Sequence, residues 1–177
     1  MAAAPQSTAV LYNYANNLLA TGDEKSAREI LTKALAINPA DHQANLAMAQ
    51  VALNHGDGKS AMTYLDRVPD APDSAMLRLP ALGLAGRTAE AKAMFDRLLP
   101  ATAGDPRAGL AFGLALEKAR QFDQAEAFLT QALTKDPANF ELLYHLGVSA
   151  SNAGHNEKAA ATLDAALRAW PNDADAL

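Results

Sequence analysis

At 177 residues, half of them hydrophobic but only 6% aromatic, the chain is long enough for one domain with a sizeable core. Much of its apolar share is alanine, the best helix former and one that leaves room for a neighbouring backbone, so closely packed helices are favoured. Its 15 basic and 20 acidic residues give a net charge of −5 with no basic stripe, which argues against a nucleic-acid partner, and the absence of cysteine removes disulfides, thiol catalysis and cysteine-based zinc sites.

The opening residues, MAAAPQSTAV, have neither a basic region nor an apolar core and do not read as a signal peptide. No run of about 18 apolar residues exists, so no segment is expected to insert in a membrane. The first amphipathic helix is predicted from about Thr8 to Thr21, ended by Gly22. Asp23 can cap a second helix, which runs to about Ile37 before Asn38 and Pro39 stop it. A shorter second pair follows, its final helix predicted to end near Val68 because Pro69 and Pro72 come next. The third pair contains Pro80 in mid-helix, which predicts an irregular seam across residues 69–86, either a hinge or a kink tolerated by packing. Pro106 opens a fourth pair, Pro137 closes it, and a fifth pair ends at Pro171.

These pairs are copies of one unit. Ala27, Ala61, Ala91, Ala125 and Ala159 follow the inter-helix turn at spacings of 34, 30, 34 and 34 residues. Four residues after each stands a large apolar side chain: Leu31, Leu65, Phe95, Leu129 and Leu163. Five residues before each stand Gly22, Gly56, Gly86, Arg120 and Gly154. The alanine is expected to let the second helix approach the first, whose small residues Ala15, Ala49, Gly113 and Gly147 receive it. The third unit departs from this pattern, with Leu79 at the small position. One such pair cannot bury its apolar faces alone, so neighbouring units must stack.

The pattern resembles the tetratricopeptide repeat family over nearly the whole chain, in repeats of about 8–41, 42–71, 72–105, 106–139 and 140–173. The cleanest copy is LLYHLGVSASNAGHNEKAAATLDAALRAWP, Leu142 to Pro171. The resemblance implies an all-α, right-handed superhelical solenoid of about five helix-turn-helix repeats, whose first helices line a concave groove that takes a peptide or helix of a protein partner. Carried onto this sequence, the groove comprises Tyr12, Asn16 and Leu19, then Gln43, Leu46, Gln50 and Leu53, then Met76. The later repeats add Arg107, Leu110, Leu114 and Glu117, and finally Glu141, Tyr144 and Val148. The alternative is that several of these residues simply pack between adjacent first helices. A carboxylate clamp of the kind that holds chaperone C-termini is not expected. Asn16 fits it, but Tyr12, Ala47, Asp73 and Leu77 stand where its cations and second asparagine belong.

No enzyme chemistry, metal or cofactor is called for. His42, His55, His145 and His155 are dispersed without ligand spacing and read as surface or turn histidines. Gly56–Lys59, GDGK, lacks the strand and remaining residues of a phosphate loop and reads as a turn. The last residues, PNDADAL, repeat the phase of PANFELL and would begin a sixth unit. Two expectations follow: the chain is part of a longer protein, or the Leu163, Leu167 and Trp170 side of the fifth unit meets another molecule, with self-association as one form. Two further functional readings stand beside groove binding: an assembly adaptor of a bacterial envelope, secretion or pilus machine, and the regulatory domain of a longer enzyme. The compartment, cytoplasmic or periplasmic, stays open.

Overall fold

The computed structural model describes residues 7–170; Pro171 and the sixth-unit phase that follows it lie outside the described residues. Ten α-helices and no strand occur among the described residues. They fall into two compact units, one ending at Thr88 and the other beginning at Ala89. None of the helices is long and apolar enough to cross a membrane.

The first unit holds α1 (Thr8–Ala20), α2 (Glu24–Ile37), α3 (His42–Asn54), α4 (Gly58–Leu65) and α5 (Pro72–Leu84). The second holds α6 (Thr88–Ala101, save its first residue), α7 (Pro106–Lys118), α8 (Phe122–Leu133), α9 (Phe140–Ala153) and α10 (Asn156–Ala169). Within each unit α1 pairs with α2, α3 with α4, α7 with α8 and α9 with α10, and successive pairs stack.

One turn design joins the two helices of every repeat. The backbone enters the left-handed region at Gly22, Gly56, Gly86 and Gly154, with φ between 70° and 86°. The next residue's N–H then reaches back five residues, as in Asp23 to Leu18 O at 2.9 Å and His155 to Ala150 O at 2.8 Å. These bonds satisfy carbonyls that the helix end would otherwise leave unpaired. Asp23 and Asp57 then open the following helices by accepting from Ser26 N and Ser60 N. Between repeats the same service comes from Asp41, Asp105 and Asn139. Arg120 makes the left-handed turn without glycine, at φ 58°, and its neighbour Gln121 still bonds to Leu116 O at 2.9 Å.

The repeated alanines are all buried, as predicted. The receiving residue, however, is matched to a different partner. A Cβ added at Gly113 would lie 2.7 Å from the Leu129 side chain, and one added at Gly147 would lie 2.5 Å from that of Leu163. In the fourth and fifth repeats the small residue of the first helix therefore seats the large side chain four residues beyond the alanine, rather than the alanine itself. Phe95, the large residue of the third repeat, packs edge-on against Phe128, with ring centroids 5.4 Å apart. Phe128 also stacks on Phe112 at 4.9 Å.

The shortened second repeat differs from expectation. α4 ends at Leu65, three residues before Val68, and the chain leaves it through tight bonds from Arg67 to Tyr64 and from Val68 to Leu65. Arg78 of α5 closes this end: its Nη2 donates to Leu65 O at 2.6 Å and Val68 O at 3.3 Å, and its Nη1 to Asp66. The buried Ser74 hydroxyl holds the connection, accepting from Ala71 N and lying within donating reach of Pro69 O and Ala71 O. α5 is continuous through the buried Pro80.

Two substitutions test these packing rules. Arg120→Gly should raise stability by about 1 kcal/mol, since a side chain in the left-handed region costs roughly 1–2 kcal/mol that glycine avoids; an unchanged or lower melting temperature would contradict strain at that turn. Ala125→Leu should overpack the α7–α8 contact and destabilise by about 1–3 kcal/mol in denaturant unfolding.

Candidate functional site

The two helices of the first repeat differ in chemistry before any ligand is considered. In the first unit α1 and α3 contain no Lys, Arg, Asp or Glu, whereas α2 carries Glu24, Lys25, Arg28, Glu29 and Lys33. α1 instead displays the exposed amides Asn13, Asn16 and Asn17, and α3 carries Gln43, Gln50 and Asn54. Gln50 Nε2 donates to Asn54 Oδ1 at 3.0 Å, leaving the remaining donors and acceptors of that pair to water or a ligand. Between these amides lie the half-buried Tyr12, Leu19, Leu46 and Leu53, with the half-buried Met76 on α5, which packs beside α3.

In the second unit the selected residues lie on α7 and α9, which are in contact. Leu110, Leu114 and Val148 are half-buried, Tyr144 is 45% exposed, and Arg107 and Glu141 are exposed. Arg107, Leu110 and Glu141 line one cleft together with Asp105, Pro106, Asp136, Asn139 and Leu142. Glu117 stands differently. Its carboxylate accepts from Ser149 Oγ at 2.7 Å and contacts His145 Nδ1 at 2.9 Å, so it joins α7 to α9 rather than offering a free anion. Tyr144 belongs to an aromatic series: Phe140 stacks on it at 6.0 Å and meets Trp170 edge-on at 4.3 Å.

Sequence reasoning missed what the histidines do. Each of the four faces a carboxylate in a neighbouring repeat: His42 with Asp73, His55 with Glu24, His145 with Glu117 and His155 with Glu126, at 2.7–2.9 Å. The available signal was separation, since the partners lie 28 to 31 residues apart, close to one repeat. Glu126 is 5% exposed and also accepts from Lys158 Nζ at 2.5 Å. Asp123, Glu126 and His155 bring possible ligand atoms within 4.8 Å of one another, but the Lys158 ammonium already balances Glu126.

These contacts set the carboxyl acidities. Burial pushes the Glu126 carboxyl up, but the bonds from Lys158 and His155 outweigh it and hold it below the ordinary glutamate range. The His42 bond, against a smaller opposing effect of burial, holds Asp73 below the aspartate range.

Tetratricopeptide repeat models match residues 18–79 and 110–174, which together cover well over half of the chain. The chain belongs to the tetratricopeptide repeat family, and its fold class is the all-α helical repeat solenoid. Solved structures agree on the fold. A MamA fragment from Desulfovibrio magneticus is 19% identical over 94% of this chain and 97% of its own, with a TM-score of 0.62. PilW, described as a widely conserved type IV pilus biogenesis factor, is 23% identical over 94% of this chain and 79% of its own, with a TM-score of 0.66. YrrB, described as having an unusual peptide-binding site, is 21% identical over 93% of this chain and 87% of its own, with a TM-score of 0.56.

A pH series tests the inter-repeat carboxylates. Because the folded forms of Asp73 and Glu126 hold their protons less tightly than the unfolded chain does, their stabilising effect is complete above the ordinary carboxylate range and is lost as pH falls through the lowered folded values. The melting temperature should therefore decline from about pH 5 downward. Glu126→Gln should lower it at neutral pH and make the acid decline shallower; an unaltered pH slope would contradict the role given to Glu126.

Proposed function

We propose that this chain is a non-enzymatic protein–protein interaction module that holds a peptide or helix of a partner along its first helices. The observation that carries this reading is the absence of formal charge from the first helices of the first two repeats. α1 and α3 bear no formally charged acid or base, while α2 carries five charged residues. An apolar face set with amides suits a peptide backbone, whose N–H and C=O groups need partners and whose apolar side chains need cover. Tyr12, Asn16, Leu19, Gln43, Leu46, Gln50, Leu53 and Met76 form the first contact set, and Arg107, Leu110, Leu114, Glu141, Tyr144 and Val148 the second. Glu117 acts by fixing α9 through His145 and Ser149. The peptide-binding site described for YrrB supports the choice of ligand class without specifying a sequence.

A second reading, an assembly adaptor that self-associates, draws on the exposed apolar surface of the last repeat. Leu167 is 73% exposed and Trp170 56%. Its sign would be a mass that rises with concentration in analytical ultracentrifugation.

Cross-linked capture from the source cells tests the first reading, comparing wild type with a Tyr12→Glu/Tyr144→Glu double variant of equal thermal stability. A protein held by wild type and lost from the variant is the expected result. Equal capture by both, or capture of this chain alone, would overturn groove binding.

A further inference from the structure

The four-residue deletion in the second repeat has a consequence on the side of the chain away from the first-helix face. α4 has 8 residues where α2 has 14, so its last turns are missing. The C-terminal half of α2 thus lacks a full-length neighbour, and Ile37 is 54% exposed. A cleft of about 370 Å³ opens there, lined by Thr32, Leu35 and Ala36 of α2, Met48 of α3, Ser60, Thr63 and Tyr64 of α4, and Arg67 in the turn after α4. Pockets of this size, near the lower end of roughly 300–1,000 Å³, suit small ligands or one or two residues of a peptide.

The lining is chemically specific. Leu35, Ala36, Met48 and Tyr64 supply apolar surface, and Arg67 is the only lining residue with a formal charge. Its guanidinium carbon lies 5.6 Å from the Tyr64 ring centre, and Arg67 forms no ion pair among the described residues. Its neighbour Asp66 is already engaged by Arg78 and Arg87. The Thr32 and Thr63 hydroxyls donate to Arg28 O and Lys59 O in their own helices, so their oxygens keep lone pairs that can accept.

The geometry points to a binding site for the C-terminal residue of a protein partner, its apolar side chain in the cleft and its free α-carboxylate on Arg67. A carboxylate matches the planar fork of a guanidinium, and the apolar cleft beside Arg67 suits the apolar side chain of a terminal residue. The threonine oxygens select a peptide over a simple fatty acid, because they can accept its terminal amide N–H. This cleft shares no lining residue with the two contact sets on the first helices, so it stands or falls independently of groove binding.

The test uses the full 177-residue chain, labelled with ¹⁵N and titrated with acetyl-Ala-Ala-Leu bearing a free carboxylate, the same peptide amidated, and octanoate. The free acid should shift the backbone amides of Thr32, Ala36, Thr63 and Arg67. Amidation of the peptide, or Arg67→Gln in the protein, should each weaken binding by about tenfold or more, as expected for loss of a charge-assisted bond. Ala36→Trp, placed at an exposed position, should block the cleft and abolish the shifts. Equal binding of acid and amide, no shifts at these amides up to about 10 mM peptide, or octanoate binding as tightly as the peptide would overturn the proposal. The acid–amide comparison is made on the wild-type chain and needs no variant to fold.

Discussion

The structure depends on how closely two helices of one repeat can approach. At Gly113 and Gly147 there is no space even for a methyl group, because Leu129 and Leu163 occupy it. A large side chain set into a gap of that kind fixes both the separation of the helices and their register along one another, since a shift of one residue would bring a Cβ against the seat. Once the pair is fixed, the turn has to reverse the chain within three residues, which the left-handed turn residue and the back-reaching N–H accomplish. The offset of 16 residues from Gly113 to Leu129, which recurs from Gly147 to Leu163, follows from these two requirements.

Stacking then divides the labour between the helices. An internal first helix such as α3 is flanked by its own second helix and by the first helices of adjacent repeats, and six of its residues are buried. Charged side chains are costly at such positions unless paired, and α1 and α3 have none. The second helices α2 and α10 hold most of their charges at exposed positions. What α1 and α3 expose is therefore chiefly amide and apolar, and that same surface is available for a backbone. Specificity in such a protein has to come from small differences along the face, such as Tyr12 at one place and Arg107 beside Glu141 at another. The histidine–carboxylate contacts run across the joints between repeats and tie the stack together.

Features set by local chemistry were legible in the sequence. The turn glycines, the capping Asp23 and the limits of α1 and α2 follow from residues within a few positions of one another. The repeat phase was legible because five copies average out individual departures. Contacts between elements were less so. The alanine and the large residue four positions later were both visible as a pattern, yet which of them the glycine seats depends on the crossing of two helices and not on spacing. The end of α4 was missed because Arg78, thirteen residues after Leu65, takes over its carbonyls. The histidines looked isolated because their partners sit in the next repeat. Arg120 could be located as a departure, but that it would still adopt the left-handed turn required the structure, since the surrounding helices override its preference. Of the candidate site, helix and position were legible, while the engagement of Glu117 by His145 and Ser149 was not.

A double-mutant cycle on the seat in the last repeat tests the central claim most directly. Wild type, Gly147→Ala, Leu163→Ala and the double variant would be unfolded in denaturant under identical conditions. If Leu163 fills the space beside Gly147, the added methyl is harmful beside leucine and tolerated beside alanine, so the double variant should be more stable than the sum of the single effects by about 1 kcal/mol or more. Effects that add to within about 0.5 kcal/mol would show that the two side chains do not share a site, and would contradict the account of how this repeat is held together.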